Sequence, residues 1–257
     1  MTKFKGKLFQ RNHGNSALWI LLDPDRAKDA LLKVVAACGD SQSVAGFLVG
    51  SSLQTSSNYD GFVEQLRALS SLPVVLFPGS GMQISAKADG LLLLTLISGR
   101  NPEYLIGQHV AYAAALRDSG LDLIPTAYLL IDGGKATTAH YITQTNPIPG
   151  DKPDIAAITA LAGAQLGLKI IYLDCGSGAL HPVSVDMVAA VRKAVDLPIV
   201  VGGGITNVEQ IHALRQAGAD WIVVGNAIEQ NPAILEELTL KLRDTAFDFQ
   251  SHPPTGG

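Results

Sequence analysis

Two glycine-rich stretches stand at the ends of apolar runs in the last third of the chain. The first is Val201-Gly202-Gly203-Gly204-Ile205, and the second is Val223-Val224-Gly225-Asn226. Each precedes a helix-like segment, so neighbouring strands that end in this way would expose backbone N–H groups side by side. Such groups bind phosphate, because a phosphate accepts many hydrogen bonds and needs space free of side chains. These residues therefore predict the binding of a phosphorylated compound.

A third stretch, Tyr172-Leu173-Asp174-Cys175-Gly176-Ser177-Gly178, combines glycines with a carboxylate. Side chains alternate along a strand, which places Tyr172 and Asp174 on the same face. Asp174 could then accept a proton from a substrate hydroxyl, while 176–178 would supply backbone and hydroxyl donors to the same phosphate. An aspartate in an ordinary glycine turn is the alternative. That alternative is weaker, because the two following strands also end in glycine.

Two earlier stretches carry oxygen ligands for a metal ion. Leu22-Asp23-Pro24-Asp25 follows the first apolar run, and Val49-Gly50-Ser51-Ser52 ends the second. Carboxylates and hydroxyls suit Mg²⁺, a hard cation that also coordinates phosphates. Asp23 lies at the strand end itself and is the stronger candidate, because Asp25 is placed to cap the following helix. An ordinary turn is the alternative for the two serines.

The elements that must hold these residues alternate between short apolar runs and helix-like segments. Eight nearly continuous apolar runs predict strands that are buried on both faces, as in a parallel barrel. They are Leu18–Leu22, Gly46–Val49, Val74–Phe77, Gly90–Leu96, Leu123–Leu130, Lys169–Leu173, Ile199–Val201 and Trp221–Val224. The predicted helices are Arg26–Ala37, Asn58–Leu69, Pro102–Leu116, Asp154–Leu166, Pro182–Val195, Asn207–Ala217 and Pro232–Leu242. We expect one α/β domain over residues 1–257, a TIM (β/α)8 barrel, with a doubly wound open sheet as the alternative.

One connection is too short for this pattern. Between the third and fourth runs the chain has Pro78-Gly79-Ser80-Gly81 and then only 82–89, whereas a crossover with its helix needs about a dozen residues. A full third helix is therefore not expected. Its absence would thin the barrel wall and leave a groove near Leu91 and Leu93 for a long apolar group. A shortened helix without function is the alternative.

Two further segments border the predicted mouth of the barrel. Tyr128 lies in the fifth apolar run, where it could line the barrel or simply pack. The segment Asn146-Pro147-Ile148-Pro149-Gly150 carries turn-forming residues, and we expect it to form a loop over the mouth.

Composition and charge exclude several classes of protein. The chain is 47% hydrophobic and 16% charged, which is typical of a globular protein and not of a disordered one. A net charge of −4 without a dense basic run gives no indication of nucleic-acid binding. The run Ala17–Leu22 is too short for a signal peptide or a membrane span. Because Cys38 and Cys175 have no metal-ligand spacing, we expect a reduced, cytoplasmic protein without a transmembrane segment.

Taken together, these stretches resemble the geranylgeranylglyceryl phosphate synthase family, which includes the bacterial heptaprenylglyceryl phosphate synthases. The matching stretches run in order from the first strand to the eighth and cover nearly the whole chain. They are Leu22-Asp23-Pro24-Asp25, Val49-Gly50-Ser51-Ser52, Tyr172-Leu173-Asp174-Cys175-Gly176-Ser177-Gly178, Gly202-Gly203-Gly204-Ile205 and Val224-Gly225-Asn226. The resemblance implies a modified TIM barrel in which a strand-like segment replaces the third helix and leaves a groove for a prenyl chain.

The resemblance also implies a Mg²⁺-dependent prenyltransferase that acts as a homo-oligomer. It would form an ether bond between the 3-hydroxyl of sn-glycerol 1-phosphate and a polyprenyl diphosphate, geranylgeranyl or longer, and release diphosphate. Transferred by position, Asp23 and Ser52 would bind Mg²⁺, and Asp174 and Tyr172 would act in catalysis. The residues implied to bind glycerol 1-phosphate are Tyr172, Leu173, Asp174, Cys175, Gly176, Ser177, Gly178, Gly203, Gly204, Gly225 and Asn226.

One departure from the family pattern concerns the carboxylate. The family usually has glutamate where this chain has Asp174, and a misplacement of about 1 Å can cost about 10²-fold in rate. Two alternatives therefore stay open. A phosphate-binding barrel isomerase or lyase would need a second acid–base pair and no side groove. A non-catalytic barrel would bind glycerol 1-phosphate without turnover.

Overall fold

The computed structural model describes residues 8–9, 18–27, 32, 35, 43–55, 58–81, 83–231 and 233–245. Within them, eight parallel strands close into a barrel, each paired with its neighbours in chain order and the last paired with the first. They are β1 Leu18–Leu22, β2 Val44–Val49, β3 Val74–Leu76, β4 Gly90–Leu96, β5 Asp122–Leu130, β6 Ile170–Asp174, β7 Ile199–Gly202 and β8 Trp221–Val224. The predicted TIM-barrel fold is confirmed, because near-continuous apolar strands are stable only where both faces are covered.

Helices follow the strands as the sequence pattern predicts, with two additions. They are α1 Tyr59–Leu69, α2 Gln108–Asp118, α3 Thr138–Thr143, α4 Pro153–Gln165, α5 Val185–Ala194, α6 Val208–Gln216, α7 Asn226–Gln230 and α8 Ala233–Thr245. A π-helical turn, Glu103–Gly107, leads into α2, while α3 and α7 are too short to show a sequence period. The predicted helix Arg26–Ala37 lies largely outside the described residues. None of the described helices is long and apolar enough to cross a bilayer.

Alternate strand residues face two separate cores. One set packs between the barrel and its helices, and the other fills the barrel interior. At the amino ends of the strands, Trp19 of β1 and Trp221 of β8 meet edge to face at 6.2 Å, and Phe9 stacks on Trp19 at 4.5 Å. These rings close one end of the interior, so a binding site is left to the carboxyl ends of the strands, where barrel enzymes place theirs.

The connection between β3 and β4 contains no helix among its described residues, 77–81 and 83–89. The prediction that the barrel lacks a full third helix is thereby confirmed, and the described part of the segment that replaces it is irregular, without the strand-like form that the resemblance implies. Strand β3 pairs with β4 only through Val75 with Gly90 and Leu76 with Leu91, whereas β5 pairs along the whole of β4. The barrel wall is therefore thinnest at this point.

Candidate active site

One cavity of about 500 Å³ runs from the carboxyl ends of the strands to the gap beside β4. Its two ends differ in chemistry. The polar end is formed by the glycine loops, which we define as Gly176, Ser177, Gly178, Gly203, Gly204, Gly225 and Asn226. The other end is the apolar groove, which we define as Ile84, Leu91, Leu93, Tyr104, Tyr112 and Leu116. Asp174 and three aromatic rings lie between the two ends.

The glycine loops after β6, β7 and β8 pack directly against one another. Gly203 has a φ of +83°, and a Cβ there would lie 2.8 Å from the Gly176 nitrogen, so only glycine fits. A Cβ on Gly178 would instead make only ordinary contacts, 3.7 Å from Lys135 Nζ and 3.9 Å from Asn226 Nδ2. Among the described residues, no acceptor is present for the N–H groups of Ser177, Gly178, Gly203 and Gly204. Free N–H groups from adjoining loops make a concave site for an anion.

Asp174 ends β6 with its carboxylate fixed at the junction of the two ends. It is only 7% exposed. Its Oδ2 accepts a hydrogen bond from the Tyr128 hydroxyl at 2.6 Å, and its Oδ1 accepts one from the Gly176 N–H at 2.8 Å. Burial raises the pKa of Asp174, and these two hydrogen bonds offset part of that rise. A held carboxylate with increased proton affinity is suited to take a proton from a hydroxyl group.

Three aromatic rings surround this carboxylate. Tyr172 stacks on Phe77, which follows β3, with centroids 5.1 Å apart, and it meets Tyr128 edge to face at 5.6 Å. Burial, followed by the charge of Asp174, raises the pKa of both tyrosines well above the usual value, so both remain protonated donors. Sequence analysis left the role of Tyr128 open and missed Phe77. No signal in the sequence marks these two residues, because the register that places Tyr128 opposite Tyr172 is set by the pairing of β5 with β6.

Asp23 follows β1 and faces the cavity beside the loop after β2, residues 50–55, which we name the strand-2 loop. Its Oδ1 accepts a hydrogen bond from the Asp25 N–H at 2.9 Å, and Arg26 Nε lies 3.5 Å from its Oδ2. Burial raises the pKa of Asp23, and these two neighbours partly offset the rise. The structure places Ser51 in side-chain contact with Asp23, while Ser52 lines the cavity beside them.

Two side chains fix the strand-2 loop. Asp25 Oδ2 accepts hydrogen bonds from the N–H and the hydroxyl of Thr55, at 2.6 and 2.9 Å. Buried Gln83 donates from Nε2 to the Ser51 carbonyl at 2.8 Å, and its Oε1 accepts from the N–H groups of Ser51 and Gly79 at 3.3 and 3.0 Å. Asp25 thus holds this loop, and the helix it was predicted to cap lies outside the described residues. Sequence analysis missed Gln83, because an isolated glutamine carries no motif.

Asp23, Ser51 and Ser52, which we name the strand-2 corner, offer a partial site for Mg²⁺. Within the described part of the chain, no three side chains of His, Cys, Asp or Glu form a group that could hold a metal. Mg²⁺ is commonly held by only one or two carboxylates together with substrate phosphates and water. Asp23 with the hydroxyls of Ser51 and Ser52 offers such a set of oxygen donors. The donors present therefore fit the ion that the resemblance implies.

The apolar groove runs between β4 and the segment that replaces the third helix. Leu93 and Tyr112 line it as partly buried side chains. Gly81 packs directly against the Tyr112 ring, and a Cβ at this position would clash with the ring atoms. The groove also holds a polar group, because His109 Nε2 lies 3.1 Å from the Thr95 hydroxyl, and burial lowers the pKa of this histidine. A neutral imidazole in an apolar wall agrees with a site for an uncharged chain.

The structure brings most of the predicted site residues to one cavity. Those that line it are Asp23, Ser52, Tyr172, Asp174, Gly176, Ser177, Gly178, Gly203, Gly204, Gly225 and Asn226. Leu173 and Cys175 do not line it, because alternation turns their side chains into the layer between barrel and helices. Segment 146–150 does not cover the mouth either, since its Ile148 pairs with Ile131 and helix α3 lines the cavity instead.

Comparison with known proteins gives consistent results at the level of sequence. Residues 14–242 match the PcrB family. The chain is 50% identical over 231 residues to a protein of Spirosoma linguale named geranylgeranylglyceryl phosphate synthase, covering 90% of this chain and 93% of that one. It is 40% identical over 227 residues to the protein of the same name from Pyrococcus furiosus, covering 88% and 89%.

Comparison with solved structures gives a much higher similarity to one class of TIM barrel than to another. The (S)-3-O-geranylgeranylglyceryl phosphate synthase of Thermoplasma acidophilum, solved in complex with sn-glycerol-1-phosphate, superposes with a TM-score of 0.85 at 31% identity, covering 95% of this chain and 98% of that one. A thiamine phosphate pyrophosphorylase from Pyrococcus furiosus reaches a TM-score of 0.56 at 15% identity, covering 92% and 98%. The second likeness is one of fold alone.

Proposed function

The chain belongs to the PcrB family, and we propose on that premise that it joins a polyprenyl diphosphate, geranylgeranyl or longer, to the 3-hydroxyl of sn-glycerol 1-phosphate. An ether bond forms between that oxygen and C1 of the prenyl chain, and diphosphate leaves. The observation that carries the proposal is one continuous cavity with a site for an anion at one end and an apolar groove at the other. An isomerase or lyase of a small phosphorylated substrate would have no use for the groove.

The glycine loops bind sn-glycerol 1-phosphate, which is the acceptor of the prenyl group. The phosphate accepts hydrogen bonds from the free N–H groups of Ser177, Gly178, Gly203 and Gly204 and from the amide of Asn226. This contact directs the glycerol toward Tyr172 and the carboxylate of Asp174. Asp174 orients the 3-hydroxyl and takes its proton as the oxygen attacks C1, and general-base assistance of this kind contributes about 10²–10⁴-fold in rate.

The polyprenyl diphosphate, which is the donor of the prenyl group, lies beside Asp174 between the two ends of the cavity, with its tail in the apolar groove. As the bond between C1 and the diphosphate oxygen breaks, positive charge develops on C1. The rings of Phe77, Tyr128 and Tyr172 line the cavity there, and aromatic faces attract positive charge. Burial of the tail stabilises the complex by about 0.8 kcal/mol for each CH₂ group. The depth of the groove therefore sets the preferred chain length.

We also propose that the reaction depends on Mg²⁺. Asp23, Ser52 and the adjacent Ser51 would hold the ion at the strand-2 corner. When bound there, Mg²⁺ would neutralise charge on the departing diphosphate. Asp23 is suited to this role because it directly follows β1 and lines the cavity in contact with Ser51, whereas Asp25 holds Thr55.

A homo-oligomer in the cytoplasm completes the proposal. Large apolar side chains are exposed on two helices that follow consecutive strands, with Val110 of α2 70% exposed and Ile158 of α4 67% exposed. Where such side chains form one contiguous patch, they favour contact with a second copy of the chain. Cys175 is a free, buried cysteine, which agrees with a reducing compartment.

A turnover assay tests the proposed function. Labelled sn-glycerol 1-phosphate would be incubated with Mg²⁺ and with geranyl, farnesyl, geranylgeranyl or heptaprenyl diphosphate, with and without EDTA. We expect a prenyl ether product that is lost with EDTA, and the best donor reports the depth of the groove. Product formation that persists in EDTA would contradict the magnesium proposal alone. No product from any donor, in a protein that still binds glycerol 1-phosphate, would favour the non-catalytic alternative.

A further inference from the structure

Lys135 lies beside the glycine loops, in the connection 131–137 between β5 and α3. A Cβ built on Gly178 would lie 3.7 Å from Lys135 Nζ and 3.9 Å from Asn226 Nδ2. Two nitrogen donors, supplied by distant parts of the chain, therefore face the same open side of Gly178. Gly178 and Asn226 both line the cavity.

The backbone around Lys135 is held on both sides by the segment 176–181 that follows β6. The Gly133 carbonyl accepts hydrogen bonds from the N–H groups of Leu180 and His181, at 2.9 and 3.0 Å. After Lys135, the Thr137 hydroxyl packs 2.6 Å from the position that a Gly176 Cβ would take. The lysine is thus carried by a connection whose ends are held in place, although its side chain is exposed.

The ammonium group of Lys135 makes no hydrogen bond or ion pair with any described residue. The cavity itself is rich in carboxylates, since Asp23, Asp25 and Asp174 all line it. Arg26 is the sole lysine or arginine among the described residues of the cavity wall, and its guanidinium already lies 3.5 Å from the Asp23 carboxylate. A phosphate in the glycine loops would therefore meet N–H dipoles, while the one cation of the described wall is paired with a carboxylate.

We propose that Lys135 binds the phosphate of the acceptor together with Asn226 and the free N–H groups of the glycine loops. The inference rests on the proposed function, because it assigns a further residue to the same acceptor. An ammonium group contributes a full charge that backbone dipoles lack, and lysine binds phosphate as a point charge. Lys135 thereby favours a phosphorylated acceptor over a neutral polyol and draws anions to the carboxylate-rich mouth.

Calorimetric titration without any prenyl donor tests this assignment. sn-Glycerol 1-phosphate and, separately, inorganic phosphate would be titrated into the wild type, Lys135→Met, Lys135→Arg and Lys169→Met. Lys169 is the matched control, because it is exposed immediately before β6, at the end of the barrel away from the mouth. We expect Lys135→Met to raise Kd for both compounds about tenfold, which corresponds to one charge-assisted hydrogen bond. Lys135→Arg and Lys169→Met should bind nearly as the wild type does.

Two results would overturn the assignment. An unchanged Kd in Lys135→Met would show that the ammonium does not touch the phosphate. An equal loss in Lys135→Met and Lys169→Met would show that net charge, and not position, matters. Because the titration contains no donor, failure of the transfer reaction is seen separately. A wild type that binds acceptor but forms no ether refutes the transfer proposal and leaves the Lys135 test valid.

Discussion

The two ends of the cavity are built in different ways. The glycine loops present backbone N–H groups whose positions are set by β6, β7 and β8 and by positive φ angles. The apolar groove is built from side chains against an irregular segment, 83–89, where the barrel pairing is shortest. A substitution blocks a backbone N–H group only when it adds a side chain beside that group. Any substitution that changes the volume of a lining side chain, in contrast, changes the shape of the groove. We infer that the acceptor end tolerates little variation and that the donor end can vary in depth.

Replacing the carboxylate that joins the two ends should have the largest effect. Asp174→Asn keeps the shape of the side chain, and the Tyr128 hydroxyl can turn to accept a bond from the new amide while Gly176 still donates to the oxygen. We expect kcat to fall about 10²–10⁴-fold, because the general base is lost. Single-turnover kinetics would measure this, and an unchanged rate would remove Asp174 from the mechanism.

The same variant has an expected signature in stability. The pKa of Asp174 is raised in the folded protein, so folding favours the protonated form. The stability that this group contributes is present below its unfolded pKa and is lost as pH rises through the folded pKa. Relative to Asp174→Asn, the wild type should therefore lose thermal stability as pH rises from the ordinary aspartate pKa of 3.8 through the raised pKa of the folded state. Melting temperatures of both proteins across that range would check this, and parallel curves would contradict it.

A pair of glycine substitutions separates backbone strain from binding. Gly178 and Gly167 have φ angles of +74° and +85°, and a Cβ meets no close neighbour at either position. Alanine should therefore cost both proteins a similar amount of stability, about 1 kcal/mol. Only Gly178 faces the cavity, so only Gly178→Ala should displace the acceptor, with kcat/KM for glycerol 1-phosphate falling about 10²-fold. Equal kinetics in the two variants would contradict the assignment of the phosphate site.

The difference between the two ends also explains what the sequence could predict. Backbone sites need glycine, and glycine after an apolar run is visible in a sequence, so the clustering of Gly178 with Gly203 and Asn226 could be predicted. Near-continuous apolar runs likewise predict the closed barrel, and the short segment after β3 predicts the missing helix. Alternation alone was enough to direct the side chains of Leu173 and Cys175 away from the cavity, although the motif as a whole was assigned to it.

The remaining features depend on contacts between distant residues. The hydrogen bond from Tyr128 to Asp174, the bonds from Gln83 to Ser51 and the approach of Lys135 to Gly178 join residues that no local pattern connects. Helix α3 lines the mouth, but it is too short to show a helical period in sequence. The dimensions of the groove depend on how side chains pack in three dimensions, so the spacing of residues in the sequence does not predict them.

A larger side chain in the apolar groove should change which donor is used. Leu93 lines the groove as a partly buried side chain, so the indole of Leu93→Trp would fill part of it. We expect kcat/KM for heptaprenyl diphosphate to fall at least about tenfold relative to geranyl diphosphate, since each excluded CH₂ group forfeits about 0.8 kcal/mol. Leu166→Trp is the control, because Leu166 is 72% exposed outside the cavity. A uniform loss for every donor would contradict a role in chain length.

The smallest expected effect on activity comes from Gln83, which joins the irregular segment 83–89 to the strand-2 corner. Gln83→Leu preserves volume but removes the bonds to Ser51 and Gly79, which hold the strand-2 loop against this segment. We expect the Mg²⁺ concentration for half-maximal rate to rise about fivefold, equivalent to about 1 kcal/mol, while KM for glycerol 1-phosphate stays constant. Ser85→Ala is the control, because among the described residues the hydroxyl of buried Ser85 accepts a hydrogen bond from the Lys87 N–H alone. If both variants shifted the magnesium dependence equally, the effect would belong to the segment as a whole, and Gln83 would lose its assigned role in positioning the strand-2 loop.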